Sequence, residues 1–183
     1  MRCGPTTLLL PPLPARPIQS LYVCRLFRTA ADSPPGPWFK RAVSGGWSVR
    51  AGTATGYKQL AGAPQIRVTL SRPASLFATL SLDRGGDGSG EDGGDGGDCG
   101  GSVNIALFLC RGSDGGRVAV LTSRAVVASS APFTNLPAVS VSARSLPVEP
   151  SGYFLVPVTY EPGAERMWTV SIFADYDLEA ALV

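Results

Sequence analysis

Apolar and polar residues alternate along several short stretches of the chain. Ile66, Val68 and Leu70 alternate with polar residues, residues 76–82 repeat the alternation, and residues 167–173 carry a third example. A period of two places successive side chains on opposite faces of a strand, so each stretch predicts a β-strand with one buried face. No long segment shows a sustained apolar period of 3.6 residues. The pattern therefore predicts an all-β protein.

Turn residues between these stretches predict hairpins. Residues 153–156 and 167–173 flank Glu161-Pro162-Gly163, and residues 66–70 and 76–82 flank a turn at 71–74. A third hairpin is predicted from residues 103–110 and 117–122, across a glycine-rich connection at 112–116. Residues 139–144 alternate as an edge strand would, and residues 175–183 form either a last strand or a frayed tail.

Together these strands predict an all-β protein with long Gly/Pro-rich loops. A chain of 183 residues with 44% hydrophobic residues can bury one sizeable core, so one folded domain is expected. We place it at residues 18–183 and begin it with a strand at 18–27. Residues 1–17 are Pro-rich and are interpreted as a disordered segment or a linker.

A glycine- and aspartate-rich loop interrupts the pattern at residues 83–101. Its glycine content and like charges predict an exposed, flexible segment. Calcium takes several oxygen ligands, so the acidic side chains are candidate calcium ligands, although their spacing fits no EF-hand loop. A low-complexity insertion and an electrostatic role remain alternatives. The candidate metal residues are Asp87, Glu91, Asp92, Asp95 and Asp98.

Composition narrows the range of functions. The net charge of +2 gives no overall attraction to nucleic acid, and the absence of histidine rules out a Cys-His or Ser-His catalytic centre built from this chain alone.

The four cysteines lack zinc-site spacing and are interpreted as free thiols. Prolines interrupt the apolar run at 8–10, and no stretch reaches membrane-spanning length, so a cytoplasmic location is expected.

A basic cluster offers one candidate contact with membranes. Lys40, Arg41 and Arg50 lie close in sequence to Trp38 and Phe39, a combination that suits the headgroups of anionic phospholipids. An ordinary solvated loop explains the same residues.

Three motifs, taken in order, resemble the β-sandwich that follows the protease core in calpains, known as domain III of the large subunit. The motifs are Gly45-Gly46-Trp47 with Thr53-Ala54-Thr55-Gly56, then Ala63-Pro64-Gln65, and then Tyr-Phe-Leu-Val-Pro-Val-Thr-Tyr-Glu-Pro-Gly-Ala-Glu at 153–165. Thr55 stands where the family has glycine, Ala63 where it has asparagine, and Val158 and Tyr160 are milder departures. The matching residues are Trp47, Thr53, Ala54, Gly56, Pro64, Gln65, Tyr153, Pro157, Thr159, Pro162 and Gly163. Independently of the resemblance, Trp47 is interpreted as a core aromatic residue.

The resemblance implies an antiparallel β-sandwich of about eight strands with long Gly/Pro-rich loops. It also implies a non-catalytic regulatory or scaffolding module of a calcium-dependent cysteine protease. Its partner would be a calpain-type protease core, in the same chain or a separate one. The core's catalytic residues are absent from this sequence. The alternative is a stand-alone β-sandwich that binds lipid or protein.

Overall fold

In the computed structural model, the described residues are 38–83, 103–112 and 116–183, and they form nine strands. The strands are β1 (Phe39–Trp47), β2 (Ile66–Leu70), β3 (Ala74–Leu82), β4 (Ile105–Arg111), β5 (Val126–Ser129), β6 (Ala138–Leu146), β7 (Tyr153–Thr159), β8 (Arg166–Ala174) and β9 (Leu178–Leu182). No helix in the described part of the chain is long and apolar enough to cross a membrane.

The strands form two antiparallel sheets. One sheet has four strands in the order β1-β8-β3-β6, and the other has five in the order β5-β4-β7-β2-β9. The predicted antiparallel β-sandwich is therefore confirmed. The strand predicted at 18–27 lies outside the described residues. So does the loop predicted at 83–101, apart from Asp83.

The main core lies between the two sheets and is built from the alternating residues. Ile66, Val68 and Leu70 are buried, while Arg67 and Thr69 between them are exposed. Trp168, Val170 and Ile172 of β8 are buried in the same core. These alternations follow the sequence prediction because each strand turns one face toward the core.

A second apolar layer covers the outer face of the five-stranded sheet. Phe154, Val156 and Val158 of β7 pack there against Leu60 and Val118 from two loops. The sequence had suggested a half-buried strand here. All seven residues of β7 are buried, so the strand is covered on both faces. The absence of alternation from 153 to 159 reflects that double burial.

Neighbouring strands in sequence rarely pair in this fold. Of the eight connections between the nine described strands, only the one from β4 to β5 stays within a sheet, and the other seven cross between sheets. The predicted hairpins at 153–173 and 66–82 are therefore wrong, although all four of their strands are present. β7 pairs with β4 and β2, whereas β8 pairs with β1 and β3.

The third predicted hairpin is also wrong, because residues 117–122 are not a strand. The strand that follows β4 and pairs with it is β5, with Phe108 opposite Ser129. Residues 117–122 instead belong to the loop that supplies Val118 to the second apolar layer. The edge strand predicted at 139–144 is confirmed as part of β6, and the last stretch forms the edge strand β9.

The side chain of Tyr153 stabilises the connection between β6 and β7. The Tyr153 hydroxyl, at the start of β7, donates to the Pro147 carbonyl at 2.9 Å, six positions upstream. This contact spans the loop by which the chain leaves β6 in one sheet and enters β7 in the other. Similar tyrosine corners occur where strands change sheets in other β-sandwiches.

Candidate functional site

The three motif segments meet at one end of the sandwich. Trp47 ends β1 there, and its indole Nε1 donates to the Pro157 carbonyl of β7 at 3.2 Å. The Trp47 ring also lies 6.1 Å from that of Trp168. Trp47 is only 3% exposed, so the predicted role as a core aromatic is confirmed, and the indole also ties the two sheets together.

The segment after Trp47 is held by its own hydrogen bonds. Thr53 Oγ1 accepts from the Ser48 amide at 2.8 Å and donates to the Gly46 carbonyl at 3.2 Å. The Thr53 amide donates to the Ser48 carbonyl at 2.9 Å. This closed turn places the following residues, 54–56, against the loop between β7 and β8.

That loop contacts the 54–56 segment through backbone groups. The Gly163 amide donates to the Ala54 carbonyl at 2.8 Å, and Thr159 Oγ1 donates to the Glu161 carbonyl at 2.7 Å. Gly56 has a φ of +70°, and a Cβ there would lie 2.9 Å from the Pro162 nitrogen. Glycine is therefore required at position 56 both for its backbone conformation and for this close approach.

Gln65 anchors the second motif, Ala63-Pro64-Gln65, inside the second apolar layer. Its side chain is fully buried and makes three hydrogen bonds: Nε2 donates to the Val118 carbonyl at 2.7 Å and to the Leu60 carbonyl at 3.2 Å, and Oε1 accepts from the Val118 amide at 2.8 Å. The amide thus satisfies the backbone groups of both loops that cover the five-stranded sheet.

Two of the four departures from the calpain pattern, Thr55 and Ala63, fit the backbone and the packing around them. Thr55 has no positive φ, so the side chain that replaces glycine there carries no left-handed strain. Ala63, in place of asparagine, is buried, and its carbonyl accepts a hydrogen bond from Arg117 Nη2. The local structure is therefore compatible with threonine at position 55 and with alanine at position 63.

Beside the motif cluster lies a surface cavity of about 320 Å³. Its walls include Gly56, Tyr57, Lys58, Tyr160, Glu161 and Pro162. The rings of Tyr57 and Tyr160 are stacked, with centroids 5.2 Å apart and planes 19° apart. Phe133 packs against both rings at 5.3 Å, so the three rings form one cluster, of which Tyr57 and Tyr160 line the cavity.

Sequence reasoning missed this aromatic cluster. Its members lie in three different loops, at positions 57, 133 and 160, and no local pattern joins them. The sequence showed only that each of three loops contains an aromatic residue, which does not indicate that the three side chains meet.

The outer face of the four-stranded sheet is a second candidate surface. Its central row runs Ala42, Ser171, Thr79 and Ser140 across the four strands, and the next row contains Lys40, Phe173, Phe77 and Ser142. Two hydroxyl pairs cross between strands, Ser44 with Thr169 at 3.0 Å and Thr79 with Ser140 at 2.9 Å. No described residues cover this face as the second apolar layer covers the other sheet.

The structure separates the predicted basic cluster. Lys40 and Arg41 lie at the start of β1, and Arg50 follows its other end, beyond a nine-residue strand of about 27 Å. Arg41 pairs with Asp177 at 2.7 Å, and Lys40 Nζ lies 5.7 Å from the Phe173 ring centroid. Lys40, Arg41 and Arg50 therefore do not form one headgroup site.

The five candidate calcium ligands lie outside the described residues. Within 38–83, 103–112 and 116–183, no three acidic or cysteine side chains gather as a metal site. Cys110 is the free cysteine of the described part, and it is fully buried in the second apolar layer. Burial raises the pKa of its thiol from 9.0 to about 12, which suppresses the reactive thiolate.

No protein-family model matches this chain, and no curated protein matches it.

Proposed function

We propose that the chain is a non-catalytic regulatory and scaffolding module that binds a calpain-type protease core, in the same polypeptide or as a separate protein. The convergence of the three motif segments carries the proposal. Residues more than 100 positions apart, such as Ala54 and Gly163, are joined by direct hydrogen bonds at one end of the sandwich. A resemblance spread over distant motifs has more weight when those motifs build one cluster.

The chemistry of the chain also favours binding over catalysis. The sequence contains no histidine, and the thiol of Cys110 is buried with a pKa of about 12. A cysteine nucleophile requires an accessible thiolate and a neighbouring base, and Cys110 has neither among the described residues. The sandwich instead offers a frame in which most large apolar residues of the strands are packed into two layers.

We assign the contact with the protease core to the outer face of the four-stranded sheet. Its central row consists of small residues, and the hydroxyls of Ser44 and Thr169, and of Thr79 and Ser140, hydrogen-bond each other. Burying satisfied hydroxyl groups costs little compared with burying charges, so such a face suits a domain interface. The other sheet has no comparable open face, because loops cover it.

Titration of the purified chain into a separately expressed calpain-type protease core tests this proposal. We expect saturable binding by calorimetry and a shift in the calcium concentration that gives half-maximal peptide hydrolysis. Ser171→Arg, at the centre of the proposed face, should weaken binding at least tenfold, because it places a long charged side chain in the interface. The matched control is Thr69→Arg on β2, an exposed position of the other sheet, which should leave binding unchanged.

Two results would overturn the proposal. One is the absence of any binding to the protease core by a chain that is folded by circular dichroism. The other is sedimentation of the chain with vesicles of phosphatidylserine in the absence of binding to the core, which would make it a lipid-binding domain. Equal binding by the Ser171→Arg and Thr69→Arg variants would reject the assigned face alone.

A further inference from the structure

We propose that the cavity beside Tyr57 and Tyr160 is a docking site for a proline-rich segment, and that its occupant is residues 11–16 of this same chain, Pro-Pro-Leu-Pro-Ala-Arg. This site is independent of the contact with a protease core. The inference rests on the aromatic walls, the charges at the rim, the sequence of the segment and the length of chain that joins the two.

The walls have the chemistry that polyproline recognition uses. Proline-rich segments dock into grooves lined by aromatic rings, because the ring faces pack against pyrrolidine rings and the extended chain has little entropy left to lose. Here Tyr57 and Tyr160 stack at 5.2 Å, with Pro162 beside them. Tyr160 is 43% exposed, which is unusual for a large aromatic side chain within an otherwise packed cluster.

The polar groups at the cavity are also suitable. In the part of the chain that the structure describes, the hydroxyls of Tyr57 and Tyr160 have no hydrogen-bond partner. A proline-rich segment lacks amide donors at each proline and presents carbonyl oxygens outward, so free tyrosine hydroxyls are complementary donors. The cavity therefore combines an apolar surface with donors where such a ligand has acceptors.

An acidic group in the cavity wall can pair with an arginine of the segment. Glu161 and Lys58 both lie in the wall, and Glu161 has no ion-pair partner among the described residues. Arg16 lies two positions after Pro14 in the segment Pro11-Pro12-Leu13-Pro14-Ala15-Arg16. With the prolines on the tyrosine pair, the Arg16 guanidinium would face the Glu161 carboxylate, a pairing that arginine makes with two hydrogen bonds.

The chain is long enough to make this contact. The cavity lies near the end of β1 that carries Trp47, whereas Trp38 lies at the opposite end, about 27 Å away along the strand. The 21 residues 17–37 separate the segment from Trp38, and a chain of that length extends to about 70 Å.

A spin label on Cys3 tests the contact in the full chain. Cys24→Ser and Cys99→Ser leave Cys3 as the reactive thiol, because Cys110 is buried with a raised pKa. We expect the label to broaden the NMR signals of residues 55–59 and 160–162 selectively. Phe77 and Ser142, at a cavity near the opposite end of the sandwich, report the background effect of an untethered segment.

Variants identify the interaction. Pro11→Ala with Pro14→Ala, or Tyr160→Ser, should abolish the selective broadening, whereas Pro5→Ala outside the segment should not. Arg16→Glu should lower the ratio of docked to free chain about fivefold, and Glu161→Arg in the same chain should restore it. An excess of a synthetic peptide of residues 9–18 should release the tethered segment and relieve the broadening.

Several outcomes would overturn the inference. Uniform broadening over the whole sandwich would mean that the segment has no preferred site, and selective broadening that survives Tyr160→Ser would place it elsewhere. Failure of Glu161→Arg to rescue Arg16→Glu would reject the ion pair. Broadening seen only between a labelled copy and a separate isotope-enriched copy would show that the occupant comes from a second molecule.

Discussion

At the scale of single residues, buried polar groups determine which loops can cover the sheet. Gln65 is the clearest case, because its three hydrogen bonds satisfy backbone groups at Leu60 and Val118 that water cannot reach. A buried backbone group without a partner costs about 1–3 kcal/mol, so one amide side chain stabilises two loops at once.

Replacing this amide by an apolar side chain of similar size should therefore destabilise the protein. We expect Gln65→Leu to lower the free energy of unfolding by about 3 kcal/mol, measured by urea denaturation. Gln59→Leu is the control, because Gln59 is exposed, and it should change stability by less than about 0.5 kcal/mol. Equal effects of the two variants would contradict the role assigned to Gln65.

The Cys110 thiol makes stability depend on pH in a defined range. Its pKa is raised from 9.0 to about 12 by burial, so above pH 9 the unfolded chain loses this proton while the folded chain keeps it. The stabilisation is complete below pH 9 and is lost as the pH rises toward 12.

From pH 8 to pH 10.5 the wild-type chain should lose about 2 kcal/mol more stability than Cys110→Ala. The measurement is the free energy of unfolding of both proteins at each pH. The absolute stability of Cys110→Ala is lower at every pH because of the cavity it creates, so only the difference in slope is informative. Parallel pH profiles would show that the thiol is not buried as described.

At the scale of elements, the end of the sandwich depends on two loops that fit closely. Residues 54–56 and 161–163 touch through backbone atoms, with a hydrogen bond from Gly163 to Ala54 and the Pro162 nitrogen against Gly56. The chain offers a matched comparison, because Gly52 has the same φ of +70° but no atom near the place where a Cβ would lie.

Gly52→Ala should cost about 1–2 kcal/mol from the left-handed backbone conformation alone. Gly56→Ala should cost at least about 1 kcal/mol more, since its methyl group would also displace Pro162 and the loop that carries the cavity. Chemical denaturation of both variants gives the difference. If Gly56→Ala were no worse than Gly52→Ala, the two loops would not be in the close contact described.

At the scale of the whole molecule, the crossing connections make the two sheets one unit. With seven of eight connections passing between the sheets, neither sheet can form from a continuous piece of chain. Strand pairs such as β1 with β8 bring together residues over 100 positions apart, for example Phe39 and Ala174. Such pairings form late and cooperatively because the loops that they close are long.

We therefore expect one cooperative unfolding transition for the sandwich. Tryptophan fluorescence of a Trp38→Phe variant reports the Trp47–Trp168 pair between the sheets, and far-ultraviolet circular dichroism reports strand content. The two signals should give the same denaturation midpoint. Refolding should take milliseconds to seconds, as for other β-proteins with distant pairings. Two separated midpoints would mean that the sheets fold independently.

The sequence by itself determined most of the strands and which of their faces are apolar, although it placed a strand at 117–122 that the structure lacks and did not place β5. Alternation at 66–70 and 167–173 reflects a local rule, because successive side chains in a strand point to opposite faces whatever the strand pairs with. It also identified Trp47 as a core residue, and it predicted the sandwich class and the edge strand within β6.

Only the tertiary structure decided which strands pair and which loop residues meet. A turn at 161–163 looks the same in sequence whether the chain folds back beside itself or crosses to the other sheet, because turn residues report a change of direction and not the partner. The double burial of β7, the amide network of Gln65 and the stacking of Tyr57 on Tyr160 join residues from distant loops. Their contacts exist only once the two sheets are packed together.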